Sequence, residues 1–468
     1  MAKQTINKGD VLMEVPTSMA LSVDTPKDTS NRLLVELFDN DKDLYYTLPW
    51  WVQMSLLLNA FDQKLMRKNQ KSWSDPERGV DMTPWIECLP RKFDTPIHWS
   101  EEALSELQYM FLKDATKLQT QQWEQLYQKV IKGLGMSSAF AKNMSFDDFV
   151  WGCECARSRA FSGAYSGSAF KPGPYIFTLF LVASYITLGL GTVEQAANGA
   201  AVVFCATILK DFVIPKFQKT KRFVICPTID MANHDGRGRH SGEVAFEYFG
   251  NSYSLAIRSD APTIQQNDEV LISYGARSND QLLQYYGFVE TDNPNDVYIM
   301  PPLREWDIEE LEKACGRKFG ADRLLKLDKA GLLGLSLDIT GSDDSDAANR
   351  GGGVVVSRTS GIDPAVLQAL RALVSSNEEW FDSGKAIGNF AAENSGGLEN
   401  ERAARLAART AMELELAQKP TSLEEDEKLL KQMMSSGKSN ISTIEDRLAV
   451  QFRIEKKKVL REAIKNMR

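Results

Sequence analysis

Residues 226–242, CPTIDMANHDGRGRHSG, and residues 267–290, NDEVLISYGARSNDQLLQYYGFVE, carry most of the chemistry legible in this chain. The first stretch closes a strand-like run, FVICPTID, and brings Asp230, Asn233 and His234 into a turn rich in Gly and Asp. In such turns backbone groups and short polar side chains can meet a ligand. The second stretch opens on the turn signal Asn267-Asp268-Glu269, passes through the apolar Val270-Leu271-Ile272 and reaches Ser273-Tyr274-Gly275. Ser278-Asn279-Asp280 can then cap a short helix holding Leu282, Leu283, Tyr285 and Tyr286, which Gly287 stops.

The 468 residues of the chain are enough for about two or three domains with a sizeable core. A net charge of -8 argues against a general nucleic-acid footprint, which shows as a basic face. The six cysteines, Cys88, Cys153, Cys155, Cys205, Cys226 and Cys315, have no paired metal-ligand spacing; they read as reduced, mostly core thiols, and no metal is expected. The opening MAKQTINKGD has neither the apolar run of a signal peptide nor the Arg/Ser-rich pattern of a transit peptide.

Taken together, IDMANH, ISYGARSNDQLL and YYGFVE, in this order and spacing, resemble the SET-domain protein methyltransferases. The resemblance is in particular to the subfamily of Rubisco large-subunit lysine methyltransferase and the actin-histidine methyltransferase. The resemblance implies an α+β fold: a SET-domain β-clip of short strands with a pseudoknot, a helical insertion, and an all-helical C-terminal substrate-binding domain. On that scheme residues 1–29 begin the SET domain, 30–145 are the insertion, 146–292 the SET core and 296–468 the C-terminal domain. From Lys8, KGDVLMEVP reads as a turn and an apolar strand ended by Pro16. The resemblance makes this the second strand. The first, with a Gly-x-Gly turn at the methyl donor, does not fit before Lys3. A fragment, a misassigned start codon and a lost donor site stand side by side as explanations.

LPWWVQMSLLLNAF repeats apolar residues at helical spacing, Ser100 before Glu101 and Glu102 is a helix start, and PWIECLPRKFDTPIHW is a Pro-broken connector. SFDDFVWGCECARSRAF begins with a cap at Ser145 and carries a helix ending near Ser158-Arg159. Then two nearly uncharged runs, PYIFTLFLVASYITLGLG and AANGAAVVFCATILKDFVIP, depart from the family pattern as an insertion at 174–215. Each is about the shortest that spans a bilayer, so membrane contact stands beside a buried helical hairpin or an apolar docking patch. Beyond Glu290 apolar residues recur every three or four positions, as at Leu448, Phe452, Val459 and Ala463, while LDITGSDDSDAANRGGGVVVSRTSG reads as a mobile loop.

The resemblance implies a protein-lysine N-methyltransferase using S-adenosyl-L-methionine on a non-histone protein. Ser158, Arg159, Asn233, His234, Tyr274 and Phe288 would bind the donor, with Arg159 holding its carboxylate in a bidentate fork. Tyr274 would be catalytic, its hydroxyl beside the transferring methyl, while Asp230, Arg277, Tyr286 and Phe288 would meet the substrate. Tyr285 reads as core. The actin-histidine enzyme has a small hydroxyl residue where this chain has Tyr286, which makes lysine the first choice of acceptor and histidine the alternative. A non-catalytic binding or membrane-docked module is the reading from another class. The partner implied is a protein presenting a lysine, with the chain a monomer in the plastid or cytoplasm, or membrane-associated through 174–215.

Overall fold

A turn at Lys8-Gly9-Asp10, with Gly9 at φ +78°, feeds β1 (Val11–Pro16), the strand read from KGDVLMEVP. A computed structural model describes residues 2–23, 32–61, 83–135, 137–163, 172–188, 222–239, 241–247, 252–333, 353–435 and 443–467, with a few single positions between 188 and 222. The chain forms two compact units, one of residues 1–92, 123–235 and 239–273, the other of residues 93–122, 236–238 and 274–468.

In the first unit β1 pairs antiparallel with β6 (Ser252–Ile257), which pairs in turn with β5 (Gly242–Glu247). A second sheet sets β4 (Arg222–Ile225) between β2 (Leu21–Ser22) and β3 (Phe161–Gly163). Strand β4 stops well short of the expected FVICPTID, because Pro227 lacks the N–H that a ladder needs. Behind the sheets, helix Trp50–Phe61 packs on helix Phe146–Arg159, which starts with a reciprocal Ser145/Asp148 capping box. The two approach closely because a Cβ at Gly152 would lie 2.5 Å from both Ser55 Oγ and Asn59 Nδ2. Ser55 Oγ uses that proximity to donate to the Phe149 carbonyl at 3.1 Å. Trp50 stacks on Phe223 at 3.7 Å, tying the helices to β4.

Helix Pro172–Thr187 contains residues 174–187 of the first apolar run and has no charged residue. Ile176, Phe177, Leu179, Phe180 and Leu181 are exposed and Thr178 is buried, so this part does not form the core of a hairpin. Sixteen residues rise only about 24 Å. No described helix is long and apolar enough to cross a membrane. The second run lies outside the described residues apart from a few single positions.

The second unit is mostly helical but not wholly so, which corrects one expectation. β7 (Val297–Met300), β8 (Val354–Ser357) and β9 (Gly361–Ile362) form an antiparallel sheet. The tail of the Gly/Ser/Asp-rich stretch read as a loop supplies β8 and β9: its valines are β-branched and bury themselves in the ladder. Much of that stretch, residues 337–352, lies outside the described residues. Helix Ile444–Asn466 buries Phe452, Val459 and Ala463 completely and Leu448 in part, the apolar face that the periodicity indicates.

Tyr109 and Tyr298 sit in this core with rings 5.0 Å apart. Burial, and then the negative charges of Asp280 at Tyr109 and Glu415 at Tyr298, push both phenols well above the usual range. With the folded pKa raised, the stability contribution is complete below the unfolded phenol pKa and is lost as pH rises through the folded value. The urea midpoint is therefore expected to fall above about pH 10. Tyr298→Phe should make that fall shallower; an equal slope would remove Tyr298 from the explanation.

Candidate active site

In the first unit, β3 directly follows helix Phe146–Arg159 and pairs with β4, Phe161 opposite Val224. This sets the end of the helix beside the segment that follows β4. There Thr228 takes φ +73° and Ile229–Met231 form a 3-10 turn. Arg159 Nη1 donates to the Asp230 carboxylate at 2.9 Å and to the Asp230 carbonyl at 3.3 Å. Trp85 Nε1 donates to the other Asp230 oxygen at 3.1 Å. The Asp230 side chain is fully buried. Burial pushes its carboxyl above the usual range, against the pull of Arg159 and the hydrogen bonds. Arg159 Nε is buried with no hydrogen-bond partner among the described residues. Ser158 Oγ donates to the Glu154 carbonyl at 2.6 Å.

Asn233 and His234 lie just beyond the 3-10 turn. Their backbone is held by a parallel bridge from His234 to Ile272: Ile272 N donates to the Asn233 carbonyl at 2.8 Å, and Asp235 N to the Ile272 carbonyl at 3.1 Å. The Val270-Leu271-Ile272 run is thus a crossing segment rather than a strand of either sheet. The exposed Asn233 amide donates to Glu269 at 2.6 Å.

Tyr274 opens the next segment of the second unit, two residues past Ile272 in the chain. Its ring stacks on Tyr286 with centroids 5.0 Å apart and planes 21° apart, and Tyr286 meets Phe288 edge-on at 6.3 Å. Arg277 Nε donates to the Tyr274 carbonyl at 3.2 Å, and Asn293 Nδ2 to the Arg277 carbonyl at 2.8 Å. Tyr285 and Tyr286 are both half-buried, whereas Leu282 and Leu283 are fully buried. Helix Asn279–Tyr286 follows Ser278, whose side chain makes no cap; the Asn279 N–H donates instead to Asp296 at 2.9 Å. Gly287 ends the helix at φ +74°, where a Cβ would lie 3.2 Å from the Asp94 backbone. Gly287→Ala should cost about 1–3 kcal/mol, checked by urea unfolding; a loss below a few tenths would mean that the turn relaxes freely.

The residues singled out in the sequence therefore fall into two groups. Ser158, Arg159, Asp230, Asn233 and His234 belong to the first unit, and Tyr274, Arg277, Tyr286 and Phe288 to the second. Sequence reasoning missed Trp85 and Glu269, whose partners are far along the chain, and the buried groups that hold helix Asn279–Tyr286. Among the described residues no cluster of three or more His, Cys, Asp or Glu could hold a metal. Cys153, Cys155 and Cys226 are buried, and burial pushes their thiols up.

Short antiparallel sheets, a parallel bridge joining an Asn-His pair to the segment before a Ser-Tyr-Gly, and a helical lobe make up a fold similar to that of the SET-domain LSMT structures. Residues 321–460 match the family model of the Rubisco LSMT substrate-binding domain. The ribulose-1,5-bisphosphate carboxylase/oxygenase large subunit N-methyltransferase of Nicotiana tabacum, a chloroplastic protein, is 21% identical over 306 residues, covering 64% of this chain and 47% of that protein. The chloroplastic [fructose-bisphosphate aldolase]-lysine N-methyltransferase of Arabidopsis thaliana is 25% identical over 165 residues, 34% of this chain and 29% of that one. The chain thus spans less than half the length of these curated relatives. Among solved structures, the SET domain of LSMT bound to methyllysine and AdoHcy aligns over 100% of this chain and 84% of its own, with a TM-score of 0.56 and 19% identity. Rubisco LSMT bound to AdoMet aligns with the same TM-score, identity and coverage. These likenesses show the fold.

Proposed function

We propose that this chain is an S-adenosylmethionine-dependent protein-lysine N-methyltransferase acting on a non-histone protein. The observation that carries the reading is the aromatic wall, Tyr274 stacked on Tyr286 and Tyr286 edge-on to Phe288, with Tyr274 two residues past the bridge that holds Asn233 and His234. When bound, the donor supplies a methyl carbon on a positive sulfur for in-line transfer. The first unit fits such a group: Arg159 keeps a buried Nε with no hydrogen-bond partner among the described residues, and Asn233 presents an exposed amide beside a fixed backbone. Arg159 would meet the donor's carboxylate, with Asp230 and Trp85 orienting the guanidinium. In this reading Asp230 acts through Arg159 rather than by touching the substrate.

The acceptor amine must arrive uncharged, although free lysine has a pKa near about 10.4. Aromatic faces around the amine disfavour the ammonium by desolvation, so the proton goes to water before the side chain is seated. Tyr274 would orient the amine through its hydroxyl, and Tyr286 and Phe288 would keep water from it. A Tyr at 286 fits the slim lysine chain better than an imidazole. The relatives point to a plastid protein as acceptor, with Rubisco large subunit and fructose-bisphosphate aldolase the first to try.

Calorimetry with S-adenosylmethionine, then labelling of those two proteins with a tritiated methyl donor and mass spectrometry, tests the reading. Donor binding and ε-methyl-lysine are expected. Methyl-histidine without methyl-lysine would replace the acceptor class, and no donor binding would remove the catalytic reading.

A further inference from the structure

Helix Asn279–Tyr286 and the segment after it carry Tyr286 and Phe288, so whatever fixes this piece of chain sets the shape of the aromatic wall. Its two ends are tied to each other. Asn279 Nδ2 donates to the Glu290 carbonyl at 3.0 Å, and Glu290 N donates to Asn279 Oδ1 at 2.9 Å. The knot rests on Asp296, whose carboxylate accepts from Asn279 N at 2.9 Å, Asn279 Nδ2 at 2.8 Å and Val297 N at 3.0 Å. Lys456, from the long C-terminal helix, reaches the same point. Its Nζ donates to Asp280, to Asp296 at 2.9 Å and to the Val297 carbonyl at 2.7 Å.

Asn279, Asp280, Asp296 and Lys456 are all at least 95% buried. One cation thus serves two buried carboxylates, and Asp280 Oδ1 has no hydrogen-bond partner among the described residues. A replacement of these groups by apolar residues of similar volume would usually be neutral or stabilising, so the arrangement is weak evidence for stability as such. Its geometry is specific: Lys456 grips the first turn of a helix of eight residues whose last residue is Tyr286. A small rotation at Asp280 would be carried to the ring, because the helix is short and Leu282 and Leu283 are packed.

We propose that Lys456 is a positioning residue for acceptor binding, holding the Asn279–Tyr286 helix so that Tyr286 and Phe288 keep the spacing a lysine side chain needs. This rests on the reading of those rings as the acceptor wall. The test is Lys456→Met, with Rubisco holoenzyme or aldolase as acceptor, whichever the wild-type chain methylates, and hydrogen-exchange mass spectrometry of residues 278–290. KM for the acceptor is expected to rise about tenfold to a hundredfold while donor binding is unchanged, and the peptide should exchange faster. Mere loss of folded protein would instead lower apparent kcat at an unchanged KM. Asp280→Asn, which weakens the same contact and leaves Asp296 in place, reads the same KM if Lys456→Met does not fold. An unchanged KM in either active variant overturns the positioning role. No methyl transfer by the wild-type chain overturns the wall reading beneath it, a failure seen before any variant is made.

Discussion

Tyr274→Phe is expected to lower methyl transfer by about a hundredfold to a thousandfold while leaving donor affinity within a few-fold of wild type. The ring survives the change, so the stack on Tyr286 at 5.0 Å is kept and only the hydroxyl is lost. The backbone is equally untouched, since Arg277 holds the Tyr274 carbonyl and not its side chain. A fall in kcat at constant donor affinity would therefore report an interaction made only as the methyl moves. Single-turnover kinetics with saturating donor is the measurement. Near-wild-type rates in Tyr274→Phe would assign the orienting role to another group.

Asp426→Ala should have the largest effect on stability, about 3–5 kcal/mol. Asp426 is fully buried and serves two cations of the C-terminal helix: it accepts from Arg453 Nε at 2.9 Å and from Lys457 Nζ. Thr421 Oγ1 also donates to it at 2.7 Å. Removing the carboxylate leaves Arg453 with Glu106, and Lys457 with Gln108 and Thr421, so excess positive charge stays buried without its main counter-ion. Urea unfolding at neutral pH measures the loss. A change below about 1 kcal/mol would show that Glu106 and water compensate.

Much of this architecture was legible where the signal is local. Strand Val11–Pro16, the caps at Ser100 and Ser145 and the stop at Gly287 stand where turn and cap chemistry put them. Each depends on residues within a few positions of one another. The buried lysines of FRIEKKKVL were not legible, since a charge run reads as a solvated face until its partners are known. Asp280, Asp296 and Asp426 are those partners, and they lie elsewhere in the chain. Strands β8 and β9 of the C-terminal lobe were hidden for a different reason: the Gly, Ser and Asp before Val354 dominate the composition of the stretch. At the site, the residue types could be named, but not that Asp230 would be buried beneath Arg159 and Trp85.

The bare helix Pro172–Thr187 has a colloidal consequence. Its exposed Ile176, Phe177, Leu179, Phe180 and Leu181 lie on more than one side of the helix, with no charge among residues 172–187 to hold neighbouring molecules apart. The net charge of -8 is carried elsewhere in the chain and is screened beyond about 8 Å at physiological salt. Two molecules meeting at these helices would feel little of that repulsion, so added sulfate, which strengthens apolar burial, would favour clustering of the protein through this segment.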